Sequence, residues 1–181
     1  MATGHTDPHR RERILAAALD LIAEEGVAGV SHRKIAARAK VPLGSMTYHF
    51  TGIDDLLHEA FTGYAGHVVT VFEHHLGGAT TPDQAREAVT DLIHTLSEGP
   101  RRDLILVQEL YTLAARHEPY RELCARWMRR SRALLEQHFD AATARQLDAL
   151  IEGLTLHRAL DDTPSDRVLT RAAVARVTAA P

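Results

Sequence analysis

The chain lacks what stabilises a secreted protein and what anchors one in a membrane. Its 181 residues include one cysteine, Cys124, so no intramolecular disulfide framework exists and a reducing, cytoplasmic setting is expected. No apolar run approaches the roughly 18 residues of a membrane span, so no membrane partner is expected. The first residues, MATGHTDPHRRER, are polar and carry no apolar segment of a secretory signal. No stretch alternates apolar and polar residues as a half-buried strand does, and there are no internal repeats or low-complexity tracts. Chemistry-bearing motifs are missing too: there is no HExxH, no cysteine pair and no Ser-His-Asp signature. Twelve histidines are present. However, His74 and His75 would diverge by about 100° on a helix, and His67 and His74 would lie two turns apart. Solvated side chains explain them, so no metal, cofactor or catalytic residue is expected.

What remains is helix and an uneven distribution of charge. The apolar fraction of 45 % is ample for a core, and 25 % charged residues is ordinary. Net charge is −3, but the two ends differ. Residues 1–50 hold seven Lys/Arg and five Asp/Glu, giving +2 before four histidines are counted. Residues 51–181 hold fourteen Lys/Arg and nineteen Asp/Glu, giving −5. A basic head on an acidic body is the asymmetry expected when one end meets phosphates.

The most informative stretch is residues 31–57, SHRKIAARAKVPLGSMTYHFTGIDDLL. Ser31 is a good N-cap, and Val30 with Ile35 can form a hydrophobic staple. Ile35, Ala36 and Ala39 give one apolar face, while Arg33, Lys34, Arg38 and Lys40 point elsewhere. Pro42 stops this helix and favours a new one with Gly44 to His49 as its body. Two short helices around a tight break make a helix-turn-helix, whose second member is sized for the major groove of DNA. Its exposed positions are expected to be Leu43, Gly44, Ser45, Thr47, Tyr48 and His49, with Met46 and Phe50 facing inward.

Residues 10–57 resemble the DNA-binding domain of the tetracycline-repressor (TetR) family of bacterial transcriptional regulators. The resemblance rests on RRERILAAALDLIAEEG, then IAARA, then SMTYHF followed by DDLL, in matching order and spacing. It implies an all-α, nine-helix fold. A three-helix helix-turn-helix domain would occupy residues 1–52, and a helical effector-binding and dimerisation domain residues 53–181. Thr47, Tyr48 and His49 match family positions that contact DNA, largely its backbone, and Arg33 matches one that often reaches a base, where arginine suits guanine. Ser45 could bond a base edge; Leu43 and Gly44 offer apolar contact or close approach. Ser31, Lys34 and Lys40 complete the expected DNA-binding set.

Three positions depart from the family pattern. Lys40 stands where the turn commonly has Gly, so a positive φ there would cost about 1 kcal/mol, although its ammonium could reach a phosphate. Pro42 replaces the usual Ser or Thr cap. Ile53 replaces a Lys that often opens the next helix on phosphate. Few long polar side chains on the reading helix imply that much specificity comes from DNA shape.

The rest reads as helix. Asp7 with Pro8 can open the first one, Ile14, Ala18, Leu21 and Ile22 form its buried stripe, and Gly26 closes it. A long helix is expected over 53–76, with Leu57, Phe61, Tyr64, Val68 and Phe72 on one side. Others are expected at about 82–98, 101–117, 119–139, 141–160 and 165–179 from their caps and breaks, the punctuation being Thr81-Pro82, Gly99-Pro100, Glu118-Pro119 and Thr163-Pro164.

One reading helix sees only a few base pairs. Specific binding needs two, about 34–36 Å apart, and hence a homodimer on a palindromic double-stranded operator. As the resemblance implies, the last two helices would supply the interface. Leu147, Leu150, Ile151 and Leu154 form one stripe of the 141–160 helix; Ala149, Gly153, Leu156 and Leu160 form a second. Two apolar faces suit a core and a partner, although a wholly buried helix would show the same pattern. Val168, Leu169, Ala172 and Ala173 give the final helix its apolar side, with Leu169 and Ala172 in the expected interface.

The 101–117 helix is apolar nearly all round and therefore central. Gln108 shares a face with Leu104, Val107 and Tyr111, and a lone amide on an apolar stripe needs a partner, from the protein or a ligand. Cys124, Trp127 and Met128 lie on the inner stripe of the following helix, and His75 near that of Phe72. These eight are the expected effector-pocket residues, with core packing as the plainer alternative. The reading is a ligand-responsive regulator, expected to repress and to release DNA on binding a small apolar or amphipathic effector. The alternative is a ligand-independent architectural DNA-binding protein with a solid core.

Overall fold

The computed structural model describes residues 8–161 and 166–179. Among them are nine α-helices and no strand: α1 (Arg10–Glu25), α2 (His32–Ala39), α3 (Gly44–His49), α4 (Ile53–Leu76), α5 (Pro82–Ser97), α6 (Arg101–Arg116), α7 (Glu118–Leu135), α8 (Ala141–Leu160) and α9 (Arg167–Val177). The expected all-α, nine-helix fold is thus present in the described residues. Asp7, Thr163 and Pro164 lie outside them.

Helix α1 buries Ile14, Ala17, Ala18, Leu21 and Ile22, the 3.6-residue stripe of an amphipathic helix. It stops at Gly26, whose φ of 72° and ψ of 168° lie in a region essentially reserved for glycine. A short 3₁₀ turn, Val27–Gly29, follows and was not legible in the sequence. Ser31 then caps α2, its hydroxyl accepting the Lys34 amide at 3.4 Å. At the other end Lys40 adopts the left-handed conformation, φ 55° and ψ 46°. The Val41 amide donates to the Ala36 carbonyl and the Lys40 amide to that of Ala37, which is the Schellman closure usually built on glycine. Without that turn α3 could not swing across α2.

Helix α4 is the long member. Its 24 residues span about 36 Å and carry ten buried side chains from Leu56 to Leu76. The Thr51 amide donates to the Asp55 carboxylate at 2.9 Å and fixes its start. It packs on α1 at one end and on α5 and α7 further along. Helix α6 packs on α1, α7 and α8, while α5 lies against α8 and α9. One core is continuous from Ile14, Ile35 and Met46 in the first three helices to Leu106, Leu147 and Val174 in the others. Each large side chain buried in it contributes about 1.5–3 kcal/mol.

One boundary and one helix face call for comment. Helix α7 ends at Leu135, not 139, because the chain turns there: the His138 and Phe139 amides both donate to the Leu135 carbonyl. Asp140 is thereby placed to cap α8 by accepting from Ala142 and Thr143. In α9 the core-facing residues are Thr170 and Val174, so Val168 and Leu169 face away from the chain's own core.

Lys40→Gly relieves the left-handed strain and should raise the unfolding free energy by roughly 0.5–1 kcal/mol. Urea denaturation checks this; no gain would mean that the lysine conformation is unstrained.

Candidate functional site

Three surfaces gather the residues singled out by sequence. The first is α3. Met46 is wholly buried and Phe50 is 3 % exposed, with the Arg11 guanidinium 5.5 Å from the Phe50 ring. These two side chains pin α3 and leave Gly44, Thr47 and Tyr48 outward. Tyr48 is 81 % exposed and Leu43 54 %, so both side chains of this face are free to meet a partner. Thr47 donates its hydroxyl to the Gly44 carbonyl at 3.2 Å. His49 is half-buried and stands edge-on to Tyr48, ring centres 4.9 Å apart.

One expected contact on this face needs correction, and one cation beside it is already paired. Ser45 is 7 % exposed, not solvent-facing: the short α3 has one inward face, and Ser45 shares it with Met46. Lys34 is not a free cation. Its Nζ lies 2.5 Å from Glu25 Oε2 and donates to the Gly29 carbonyl at 2.8 Å, tying α2 to the end of α1. Arg38 is similarly paired with Glu24, which holds that carboxyl below its ordinary range. Arg33 and Lys40 remain exposed. Ser31 uses its hydroxyl as a cap.

The second surface is interior. A cavity of about 550 Å³ is walled by α4, α5, α6, α7 and α8. Leu104, Val107, Gln108 and Tyr111 of α6 and Trp127 and Met128 of α7 line it. This explains why α6 reads as apolar all round: one face meets the core through Leu106 and Leu110, another meets the cavity. The Tyr111 and Trp127 rings are near-parallel, centres 6.1 Å apart at 20°. The Tyr64 hydroxyl donates to the Asp103 carbonyl at 3.0 Å across the same wall.

Two expected lining residues are not there. His75 is half-buried beyond the end of the cavity, where burial lowers its basicity and Asp91 of α5 opposes that shift; His67, two turns earlier, lines the wall instead. Cys124 is buried behind the wall, and burial pushes its thiol up to about 11.

The cavity also has polar residues that sequence reasoning missed. Asp148, Glu152, Thr155 and Arg158 follow one another along α8 and all line it. Their spacing of four, three and three was readable as a polar stripe between two apolar ones. Asp148 lies 3.5 Å from Arg132 of α7. Burial pushes its carboxyl up to about 6, partly opposed by Arg132 and reinforced by Glu152. The hydroxyls of Ser131 and Thr155 are buried without a hydrogen-bond partner.

The third surface is the outer side of α8 and α9. Leu160, Val168 and Leu169 are 69 %, 78 % and 64 % exposed. Ala149 is exposed, Gly153 and Ala172 half-buried, and a Cβ placed on Gly153 would meet nothing within 4 Å. Leu156 is a correction: it lines the cavity, because α8 turns that residue inward past Gly153. No cluster of three or more potential ligands among the described residues could hold a metal ion, and no helix there is long and apolar enough to cross a membrane.

Comparison with known proteins places these surfaces in context. Residues 14–60 match the pattern of bacterial regulatory proteins of the tetR family, and residues 80–180 match the tetracyclin repressor-like C-terminal domain. SCO7518 of Streptomyces coelicolor A3(2), proposed to be a transcriptional regulator, is 68 % identical; the likeness covers 96 % of this chain and 100 % of that one, with a TM-score of 0.90. A TetR-family protein of the same organism, SCO1917, is 35 % identical over 96 % of this chain and 100 % of that one, with a TM-score of 0.85. The multidrug binding protein EbrR, solved with imidazole, is 36 % identical over 97 % of this chain and 93 % of that one, with a TM-score of 0.80. Among curated proteins none matches.

The Asp148 carboxyl holds its proton more tightly when folded, near 6, than when unfolded, near ~4. Its contribution to stability is therefore lost as pH rises through that window. Asp148→Asn should raise stability at pH 7.5 by about 1 kcal/mol, the part left after solvent screening, and by nothing near pH 4. Thermal unfolding at the two pH values measures this, and an equal effect at both would show that the carboxyl is not perturbed.

Proposed function

The chain belongs to the tetR family of bacterial regulatory proteins, and from that premise we propose that it is a ligand-responsive repressor. Residues 1–52 form the DNA-binding head and residues 53–181 the effector-binding and dimerisation body. Two copies bind a palindromic operator in the cytoplasm, and a small apolar or amphipathic molecule filling the cavity releases them. The cavity carries this reading: a ligand-independent architectural protein has no use for 550 Å³ of interior space bordered by unpartnered hydroxyls. Its relative EbrR supports it, having been solved with ethidium, malachite green and proflavin as well as imidazole.

The exposed large hydrophobic side chains of the described residues fall in two places only, Leu43 with Tyr48 and Leu160 with Val168 and Leu169. A water-soluble chain keeps such groups outside where a partner covers them. The first pair meets the duplex: Thr47, Tyr48 and His49 set register on phosphates, while Arg33 reads a base edge. The second group, with Ala149, Gly153 and Ala172, meets the second copy. No part of this arrangement calls for an enzymatic step.

Three outcomes follow for binding to operator fragments drawn from the genome. Tyr48→Ala weakens binding to all sequences alike, whereas Arg33→Ala costs about 1–3 kcal/mol on the preferred site and flattens base preference; unchanged selectivity would remove Arg33 from the reading role. Leu160→Glu with Leu169→Glu places like charges across the interface, so light scattering should show monomers and operator binding should vanish. A variant that stays dimeric would move the interface elsewhere. Finally, some member of a compound library should weaken operator binding by the wild type; failure of all of them would favour the architectural alternative.

A further inference from the structure

Resting on the effector reading, we propose that the cavity selects flat organic cations, with Asp148 and Glu152 neutralising the charge and Tyr111 and Trp127 receiving the ring. Three observations meet at this place. The two carboxylates stand one helical turn apart on α8 and both face the cavity. The near-parallel Tyr111 and Trp127 rings lie on the adjoining walls, and aromatic faces attract cations within about 6 Å of the ring centre. Ser131, 2 % exposed, and Thr155 each bring an unpartnered hydroxyl to the same lining, and a buried polar group without a partner marks where a ligand or water completes the structure.

The positive side chains at or beside the cavity do not cancel this: of the two arginines that line it, Arg101 stands ten residues along α6 from Tyr111, about 15 Å away. Arg132 offsets only part of the acidic pair, since its one contact is a 3.5 Å approach to Asp148, and Glu152 is left exposed. Arg158 is ten residues along α8 from Asp148, about 15 Å away. Its guanidinium is already committed, donating to the Thr170 hydroxyl at 2.5 Å and the Asp166 carbonyl at 3.1 Å. The cavity is therefore acidic and aromatic at one end, with its two lining arginines at the other. A ligand with an anionic group meets repulsion where the rings are; a cation meets attraction from both carboxylates and both rings.

The test uses the full chain and a shape-matched pair of three-ring compounds, N-methylacridinium as the permanent cation and 9-anthracenecarboxylate as the anion. Calorimetry gives the affinities, and quenching of Trp127, the one tryptophan of the chain, reports whether binding is at this wall. The cation should bind at least tenfold more tightly than the anion. Glu152→Gln should lower its affinity severalfold and Asp148→Asn tenfold or more, with anion binding unchanged or improved. Glu152 is exposed, so its variant keeps the test decisive even if Asp148→Asn disturbs the Arg132 contact. Equal affinity for the two compounds, or a cation affinity indifferent to both substitutions, would overturn the proposal. Operator binding is followed in the same titrations. Charge-selective binding that leaves operator affinity untouched upholds the cation site and removes the effector reading. Release by the anion alone upholds the effector reading and removes the cation site.

Discussion

One helix has to satisfy two neighbourhoods at once. The first turns of α4 bury Leu56, Leu57, Ala60 and Phe61 in the core that holds Met46 and Phe50, and so decide how α3 is presented. Its later turns carry Tyr64, Val68 and Phe72, which are buried and also line the cavity. Because α4 is unbroken, the angle of the head and the width of the cavity are two properties of a single rod. The residue types follow from that. Large apolar groups run its whole length, and two of its polar residues, Thr62 and Thr70, bond back to carbonyls of their own helix.

The sequence was most legible where local chemistry decides the outcome. The Ser31 cap, the Pro42 break, the inward Met46 and Phe50 and the length of α4 all follow from propensity, capping and period, and each is present in the structure. At Lys40 the family resemblance left a positive φ as a condition only, and the structure meets it with φ 55°. The errors share a different cause. Ser45, His75 and Cys124 were each placed by spacing, but what they do is set by the tertiary arrangement: the inward face of α3 for Ser45, Asp91 near His75, and the wall that lies in front of Cys124. Period locates a side chain on a helix face without saying whether that face meets solvent, core or cavity. Leu156 shows the ambiguity, since the stripe that contains it is shared between an outward residue, Leu160, and an inward cavity wall. Asp148 and Glu152 were passed over for a related reason: charged residues on a helix usually mean a solvated face, and only the tertiary arrangement shows that these border an enclosed space.

The same geometry gives the proposed function a route from the cavity to a surface it does not touch. Helix α6 presents Leu104, Val107, Gln108 and Tyr111 to the cavity and its opposite side to the head. There Arg102 bonds Asp20 of α1 at 3.0 Å, and the Glu109 carboxylate accepts the Val27 amide at 3.2 Å, just past the end of α1. The approach is close: a Cβ on Gly26 would meet the Glu109 carboxylate at 3.1 Å. Gly26 is therefore held by two demands, a backbone conformation only glycine adopts easily and a carboxylate that would have to shift to admit a side chain. A half-buried amide and a carboxylate are costly to separate without replacements, so α6 and the end of α1 move together or lose those bonds. Of the helices around the cavity, α4 and α6 both also pack on α1. A ligand that spreads them changes two of the supports under α1, and α2 and α3 rest on the helix so displaced. Close packing leaves little slack to absorb such a change locally, so on the proposed function a guest in the body would alter the pose of the reading helix.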